Sequence, residues 1–182
     1  MSFRAFVAVD VQCGEEMLKA LAQLKEFGRA LKLVSPENVH VTLKFLGEVQ
    51  EGAVPELEKV MRRAAEGVRP FSVRLRGTGV FPNPRKPRVV WAGMEGTEPL
   101  ALMVAVLEEG CEPLGFRRER RSFSPHLTLA RVREGLRVDL TGFLNEHQGK
   151  DLGSFLVEGI ILKRSVLTPS GPIYSEVLEI KL

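Results

Sequence analysis

Cysteine, histidine and long apolar runs are all scarce in this sequence of 182 residues, and each shortage excludes a class of protein. The two cysteines, Cys13 and Cys111, are too few and too isolated for a disulfide framework or a CxxC metal site. No apolar stretch approaches the ~20 residues that a membrane-spanning helix needs, and the first residues lack the layout of a signal peptide. We therefore expect a cytoplasmic protein without a membrane partner.

Arginine is abundant where those residues are rare, since it supplies 17 of the 26 basic residues. Its planar guanidinium matches phosphate geometry, so the composition is compatible with a phosphate-bearing ligand and equally with an ordinary charged surface. Two clusters stand out, at residues 85–88 and 117–121, and the second runs directly into His126. These clusters either guide an anionic polymer or form solvated loops, and the sequence leaves both interpretations open.

Two of the three histidines lie in a repeated pattern. Residues 35–47 read SPENVHVTLKFLG and residues 124–131 read SPHLTLAR, so each copy has His-x-Thr in an apolar, β-prone run after a Ser-Pro pair. Because side chains alternate faces along a strand, His40, Thr42 and Lys44 are predicted to share one face. His126 and Thr128 repeat the arrangement. The two strands could then present two His–Thr pairs to one cleft.

Paired imidazoles favour acid–base chemistry over metal binding. Their pKa lies near neutrality, so one ring can accept a proton while the other donates one, and neighbouring Thr hydroxyls can donate to phosphate oxygens. Two histidines supply only two metal ligands, and neither motif carries a carboxylate at i+2 or i+4. The sequence predicts a site with no metal and no cofactor. His147, outside the motifs, is given no role.

The order of periodic segments predicts an α+β fold. Each half reads strand, helix, motif strand, helix, strand, and the proline-rich segment 81–88 separates the halves. We expect a single bilobal domain over residues 1–182, with two pseudo-symmetric lobes of antiparallel sheet, backed by helices, around a central cleft between the motif strands. Half one covers about 1–80 plus part of the C-terminal strands, half two covers about 88–182, and 155–162 is predicted as one strand.

Five segments in order resemble a known family: RAFVAVD, PENVHVTLKFLGEV, PRVVWAG, SPHLTLARV and LTPSGPIYSEV. They are similar to the RNA 2′,3′-cyclic phosphodiesterase family, also called the 2′–5′ RNA ligase family, within the 2H phosphoesterase superfamily. The resemblance implies hydrolysis of RNA 2′,3′-cyclic phosphate ends to 2′-phosphomonoesters. In some members it also implies 2′–5′ joining of RNA ends by the reverse reaction.

Site roles follow from the same resemblance. It implies that His126 is the general base that activates water and that His40 is the general acid that protonates the leaving 3′-oxygen. It also implies that Thr42 and Thr128 bind the phosphate oxygens, with Arg131 adding a cation there.

Strict alternation, however, places Arg131 on the face opposite His126. Arg131 can reach the phosphate only if the strand bulges or ends by Ala130. Lys44, on the His40 face by parity, is a rival cation. Four aromatic residues are candidates for stacking on a terminal base: Phe3, Phe81, Phe123 and Tyr174.

The expected partner is an RNA end bearing a 2′,3′-cyclic phosphate, with no obligate protein partner and a monomer as the default. The alternative function is a non-catalytic module that binds single-stranded RNA in a basic groove. Such a module needs exposed aromatic side chains among its basic residues, and aromatics make up only 7% of the chain.

Overall fold

Two antiparallel sheets and the helices packed on them make up the computed structural model, which describes residues 1–169 and 171–182. Ser170, which belongs to the segment LTPSGPIYSEV, lies outside the described residues. The strands are β1 (Ser2–Asp10), β2 (Leu31–Leu33), β3 (His40–Gln50), β4 (Phe71–Phe81), β5 (Val89–Glu95), β6 (Leu127–Val132), β7 (Asp151–Val157), β8 (Gly159–Thr168) and β9 (Gly171–Lys181). The α-helices are α1 (Glu15–Lys25), α2 (Val54–Ala65), α3 (Glu98–Cys111) and α4 (Thr141–Glu146).

The sheets confirm the predicted α+β class. The first sheet has the strand order β3-β1-β8-β9, and the second has the order β2-β6-β5-β4-β7. Every paired strand is antiparallel to its neighbour. The motif strands β3 and β6 belong to different sheets and contact one another, so the two sheets meet along these strands.

Strands are exchanged between the two halves of the chain, which differs from the expected division near residue 80. The structure places β2 and β4 in the second sheet, while β8 and β9 complete the first. β4 lies in the second sheet because it forms an antiparallel hairpin with β5, its neighbour in the chain. In this hairpin Phe81 pairs with Val89 across the proline-rich loop. The C-terminal strands β8 and β9 join the first sheet, where β8 pairs with β1 and β9 pairs with β8.

The prediction of one strand over 155–162 is wrong. Glu158 separates β7 from β8, and the two strands belong to different sheets. Phe155 pairs with Val73 in the second sheet, whereas Leu162 pairs with Val7 in the first. Glu158 and Gly159 interrupt the apolar run at the point where the chain crosses from one sheet to the other.

A β-bulge in β3 changes which side chains face the cleft. Thr42 and Lys44 pair with consecutive residues of β1, so Leu43 is an extra residue without a partner in the register. Leu43 and Lys44 are both buried as a result, and Phe45 is exposed. The bulge returns Phe45 to the face of His40 and Thr42, the reverse of the strict alternation expected from the sequence.

The second motif strand carries an equivalent bulge. Thr128 and Ala130 pair with consecutive residues of β5, so Leu129 is the extra residue. Leu129 and Ala130 are both fully buried, and Arg131 is exposed. The bulge therefore turns Arg131 to the face of Thr128, as it turns Phe45 to the face of Thr42.

The helices bury their apolar faces against the core-facing sides of the sheets. In α1, Met17, Leu21 and Leu24 lie in the core, and the helix ends at Lys25. Gly28, beyond that end, has a φ of 59°, a conformation that glycine adopts without steric cost. Among the described residues, none of the helices is long and apolar enough to cross a membrane.

Candidate active site

The two motif histidines have the same hydrogen-bonded setting. Nδ1 of His40 lies 2.7 Å from the carbonyl oxygen of Asn38, and Nδ1 of His126 lies 2.8 Å from that of Ser124. A carbonyl oxygen can only accept, so Nδ1 of each ring must carry the proton and donate it. Nε2 then holds the free lone pair in a neutral ring and a second proton in a charged one. Each imidazole is thus prepared to exchange a proton through Nε2.

An aromatic edge packs against each imidazole. Tyr174 meets His40 with ring centroids 5.3 Å apart at 87°, and Phe81 meets His126 at 5.3 Å and 88°. Phe6 of β1 also contacts His40, at 5.0 Å. These contacts limit ring rotation, since edge-to-face packing is directional. Two of the four aromatics proposed for stacking therefore lie beside the histidines.

The other two proposed aromatics lie elsewhere. Phe3 is buried in the core, with the Arg164 guanidinium 4.4 Å from its ring centroid, and so cannot stack on a base. Phe123 is half-buried and packs against the core. Trp91, which the sequence reasoning missed, pairs in register with Thr128 and lies 5.2 Å from Phe81.

Gly79 makes room for the indole of Trp91. A Cβ atom at Gly79 would lie 2.2 Å from an atom of that ring, closer than any real contact, so a side chain there would displace the tryptophan. The Gly77-Thr78-Gly79 run in the sequence is the signal that could have indicated such a close approach. Trp91 and Phe81 together form the aromatic wall of the His126 side.

Lys44 does not lie on the cleft face, and this corrects the prediction from parity. Its side chain is buried, and its ammonium donates to Glu108 Oε2 at 2.9 Å and to the carbonyl oxygen of Arg117. The cause is the bulge at Leu43, which rotates Lys44 to the core side of β3. Lys44 is therefore unavailable as the rival cation for a phosphate in the cleft.

Arg131 meets the condition that its proposed role requires. The bulge at Leu129 brings it to the face of Thr128, and its side chain is exposed. Burial raises the pKa of Tyr174, and the nearby positive charges of Arg131 and Arg4 oppose that rise. Because Tyr174 contacts His40, the charge of Arg131 reaches from the second sheet to the His40 side of the cleft.

An ion pair beside His40 was not foreseen from the sequence. Asp10 pairs in register with His40, and Asp10 Oδ1 accepts from the ammonium of Lys163, a residue that is only 8% exposed. Burial lowers the pKa of His40, and the Lys163 charge lowers it further, against the opposing effects of the Asn38 carbonyl and Asp10. Strand pairing between β1 and β8 brings these distant residues together.

The third histidine is structural. His147 is buried at the end of α4, its Nδ1 lies 2.9 Å from the Phe143 carbonyl oxygen, and its ring stacks 4.3 Å from that of Phe143. Within residues 1–169 and 171–182, no group of three or more His, Cys, Asp or Glu side chains gathers to hold a metal ion.

The fold and the paired His–Thr strands define a phosphoesterase. A sequence model described as "LigT like Phosphoesterase" matches residues 7–91 and 94–174, and the chain belongs to that family. The chain is 42% identical to the RNA 2′,3′-cyclic phosphodiesterase of Methanothermobacter thermautotrophicus over 97% of each chain. It is 37% identical to the protein of that name from Archaeoglobus fulgidus, over 95% of this chain and 97% of the other.

Solved structures share the architecture. A protein of Thermus thermophilus superposes with a TM-score of 0.79 at 34% identity, covering 98% of this chain and 97% of the other. The LigT protein of E. coli in complex with 3′-AMP gives a TM-score of 0.74 at 24% identity, covering 100% and 99%. The second likeness supports the fold alone.

Proposed function

We propose that this phosphoesterase hydrolyses RNA 2′,3′-cyclic phosphate ends to 2′-phosphomonoesters by metal-independent acid–base catalysis. The observation that carries the proposal is the matched setting of His40 and His126, each with Nδ1 donating to a carbonyl and Nε2 left for proton transfer. The full-length relatives that bear the name RNA 2′,3′-cyclic phosphodiesterase support the same substrate.

The reaction needs one proton acceptor and one donor. Nε2 of neutral His126 takes a proton from water as the water oxygen bonds to phosphorus. The bond from phosphorus to the 3′-oxygen breaks, and Nε2–H of charged His40 protonates that oxygen. The product carries a 2′-phosphate and a 3′-hydroxyl, while His126 ends protonated and His40 neutral. Proton exchange with solvent restores both rings.

Neutral hydroxyl donors and one cation stabilise the negative charge on the phosphate. Thr42 and Thr128 are both half-buried, so their hydroxyls can donate to the non-bridging oxygens without being fully hydrated. Arg131 supplies the positive charge from the second sheet. These groups stabilise the charge that builds on the oxygens as water attacks.

The electrostatics of His40 oppose its acid role until substrate binds. Burial and the Lys163 charge favour the neutral ring, whereas a general acid must be protonated. The cyclic phosphate is an anion, and an anion beside an imidazole favours its charged form. Substrate binding therefore raises the protonated fraction of His40 at the step where the proton is needed.

A single incubation tests the proposal. A short RNA ending in a 2′,3′-cyclic phosphate is treated with protein and excess EDTA, and the position of phosphate in the product is resolved. A 2′-phosphate is the expected product. A 3′-phosphate would contradict the leaving oxygen assigned here, and absence of product with a metal-replete control also inactive would favour a non-catalytic RNA-binding module. An added RNA with a 5′-hydroxyl would report 2′–5′ joining as a longer product.

The expected monomeric state and cytoplasmic location stay predictions. Light scattering checks the first, with a single species at the chain mass of 20.2 kDa as the expected result.

A further inference from the structure

We infer that a groove beside the cleft binds the single-stranded RNA immediately 5′ of the cyclic phosphate. The groove has a volume of about 840 Å³ and lies between the later part of β3, from Phe45 to Gln50, and the segment 114–121. We name it the arginine groove. The inference rests on the proposed function, because the cyclic phosphate is what places the RNA strand.

One wall of the arginine groove reaches the neighbourhood of His40 through aromatic contacts. Phe45 lines it, and the Phe45 ring lies 6.5 Å from that of Phe6, which in turn lies 5.0 Å from His40. The opposite wall is the segment that leads along the chain into His126. His40 pairs with Asp10 and Phe45 with Phe6, four residues along β1, so at about 3.3 Å per residue Phe45 lies about 13 Å along the strand from His40. An RNA whose end sits between the histidines can therefore extend into this groove.

The arginine-bearing wall is held in place by a buried ion pair. Lys44 donates to Glu108 and to the carbonyl oxygen of Arg117, and Glu108 Oε2 also accepts from the backbone N–H of Glu119 at 3.1 Å. Lys44 is 1% exposed, so this anchor is shielded from water. The segment is thereby fixed at two points of its backbone, and its arginine side chains are left exposed.

The charge of the groove suits a polyanion. Arg117, Arg118, Arg120 and Arg121 line it, against two acids, Glu48 and Glu119. Arg118 pairs with Glu112 at 2.9 Å, whereas the other three arginines make no ion pair within the described ranges. Free guanidinium groups in a groove attract phosphates along a strand.

Phe45 supplies the aromatic platform that single-strand binding needs. Its side chain is 61% exposed, and the bulge at Leu43 directs it to the cleft face. Non-specific single-strand sites combine a basic groove with aromatic rings on which bases stack. An exposed ring among unpaired arginines, next to the reacting end, fits RNA better than it fits a protein partner or a mononucleotide.

The experiment compares two substrates that end in the same nucleotide: a nucleoside 2′,3′-cyclic phosphate and a short RNA carrying that end. For each protein, kcat/KM is measured on both, and the ratio of the RNA value to the nucleoside value is taken. Phe45→Leu and the double variant Arg120→Gln/Arg121→Gln are each expected to lower that ratio on the order of tenfold. Phe45→Tyr keeps an aromatic ring, so its ratio is expected to stay near the wild-type value.

The matched control is Arg69→Gln. Arg69 is exposed, follows the far end of α2, and makes no ion pair among the residues described, whereas Ala53 at the start of α2 lines the groove. This control is expected to leave the ratio unchanged. The salt dependence of kcat/KM should also be steeper for the RNA than for the nucleoside, and should flatten in the double arginine variant.

Two failures are distinguishable. If the wild-type protein hydrolyses neither substrate, the proposed function is wrong. If it hydrolyses both, and the groove variants keep the wild-type ratio or lower both kcat/KM values equally, the arginine groove does not bind the upstream RNA.

Discussion

The two motif strands share a backbone arrangement and differ in the side chains that come after the bulge. In both β3 and β6 a bulge falls on the leucine after the threonine, and in both the histidine Nδ1 donates to the carbonyl two residues earlier. After the bulge, β3 continues with Lys44 and Phe45, and β6 continues with Ala130 and Arg131. The repeated backbone gives the two imidazoles the same hydrogen-bonded setting. The residues after the bulges differ, so β3 carries an aromatic ring where β6 carries a cation.

The neighbouring strands also differ. On β1, Asp10 lies opposite His40 and is paired with Lys163. On β5, the residue after the last pairing with β6 is Gly93, which has no side chain to place a charge beside His126. The site is thus symmetric in its hydrogen bonds and asymmetric in its charges. Equal geometry is therefore compatible with opposite roles in one reaction.

The largest effect is expected from removing either imidazole. His40→Ala and His126→Ala should each reduce kcat by about 10²–10⁴-fold, since general acid–base catalysis contributes about that much. Steady-state kinetics on a cyclic phosphate substrate measure the loss, and circular dichroism checks that the fold is intact. Near-wild-type kcat in either variant would remove that histidine from the mechanism.

The threonines should behave as an equivalent pair. Thr42→Val and Thr128→Val each keep the side-chain shape and remove one hydroxyl donor. A hydrogen bond to a charged group contributes about 1.5–3 kcal/mol, so each variant should lose on the order of tenfold to a hundredfold in kcat/KM. A loss in one variant alone would show that the two strands do not hold the phosphate equally.

Arg131 and Phe45 occupy equivalent places after the two bulges, but their substitutions should change different quantities. We expect Arg131 variants to change kcat on a nucleoside substrate, and Phe45 variants to change the ratio of kcat/KM values for RNA and nucleoside. Arg131→Gln should lower kcat on a nucleoside cyclic phosphate by about tenfold, because it removes charge stabilisation at the reacting phosphate. Arg131→Lys should recover part of that loss. A change in KM alone after Arg131→Gln would assign Arg131 to binding rather than to the transition state.

Lys44 should affect folding more than chemistry. Lys44→Met leaves the Glu108 carboxylate without its partner in a site where Lys44 is fully buried, so the free energy of unfolding should fall by about 3 kcal/mol. Urea denaturation measures the change. The double variant Lys44→Met/Glu108→Leu should recover part of the stability, and an unchanged midpoint in the single variant would contradict the anchoring role.

The smallest effect is a shift of one limb of the pH profile. His40 has a pKa below the ordinary value of 6.5, so one limb of a bell-shaped kcat/KM profile should lie below that pH. Lys163→Gln removes a positive charge that disfavours the protonated ring, so the limb should move to higher pH. Asp10→Asn removes the opposing charge and should move it to lower pH.

The other groups that face His40 are the Asn38 carbonyl, Phe6 and the Tyr174 ring, and neither substitution touches them. A limb that stays at the wild-type pH in both variants would show that the Asp10–Lys163 pair does not act on His40.

Local patterning predicted the two motif strands, because period-2 alternation and the repeated His-x-Thr are written in consecutive residues. It misplaced Lys44, because a bulge at Leu43 depends on pairing with β1 and leaves no trace in the residue pattern. The same limit made the role of Arg131 conditional on a bulge, which the structure places at Leu129.

The other features that the sequence did not predict depend on pairing between strands far apart in the chain. Asp10 and Lys163 lie at opposite ends of the chain, and the β1–β8 ladder brings them together. The break at Glu158 and the position of β4 in the second sheet likewise depend on which strands pair with one another. Neither follows from composition or periodicity.

The central claim is that two imidazoles in matched settings perform opposite proton transfers. A cyclic phosphate substrate with sulfur in place of the bridging 3′-oxygen tests it most directly, because a thiolate leaves without needing a proton. His40→Ala should recover most of its lost activity on this substrate, while His126→Ala should stay inactive. Rescue of His126→Ala in place of His40→Ala would reverse the two roles, and rescue of neither or of both would contradict the division of labour between the strands.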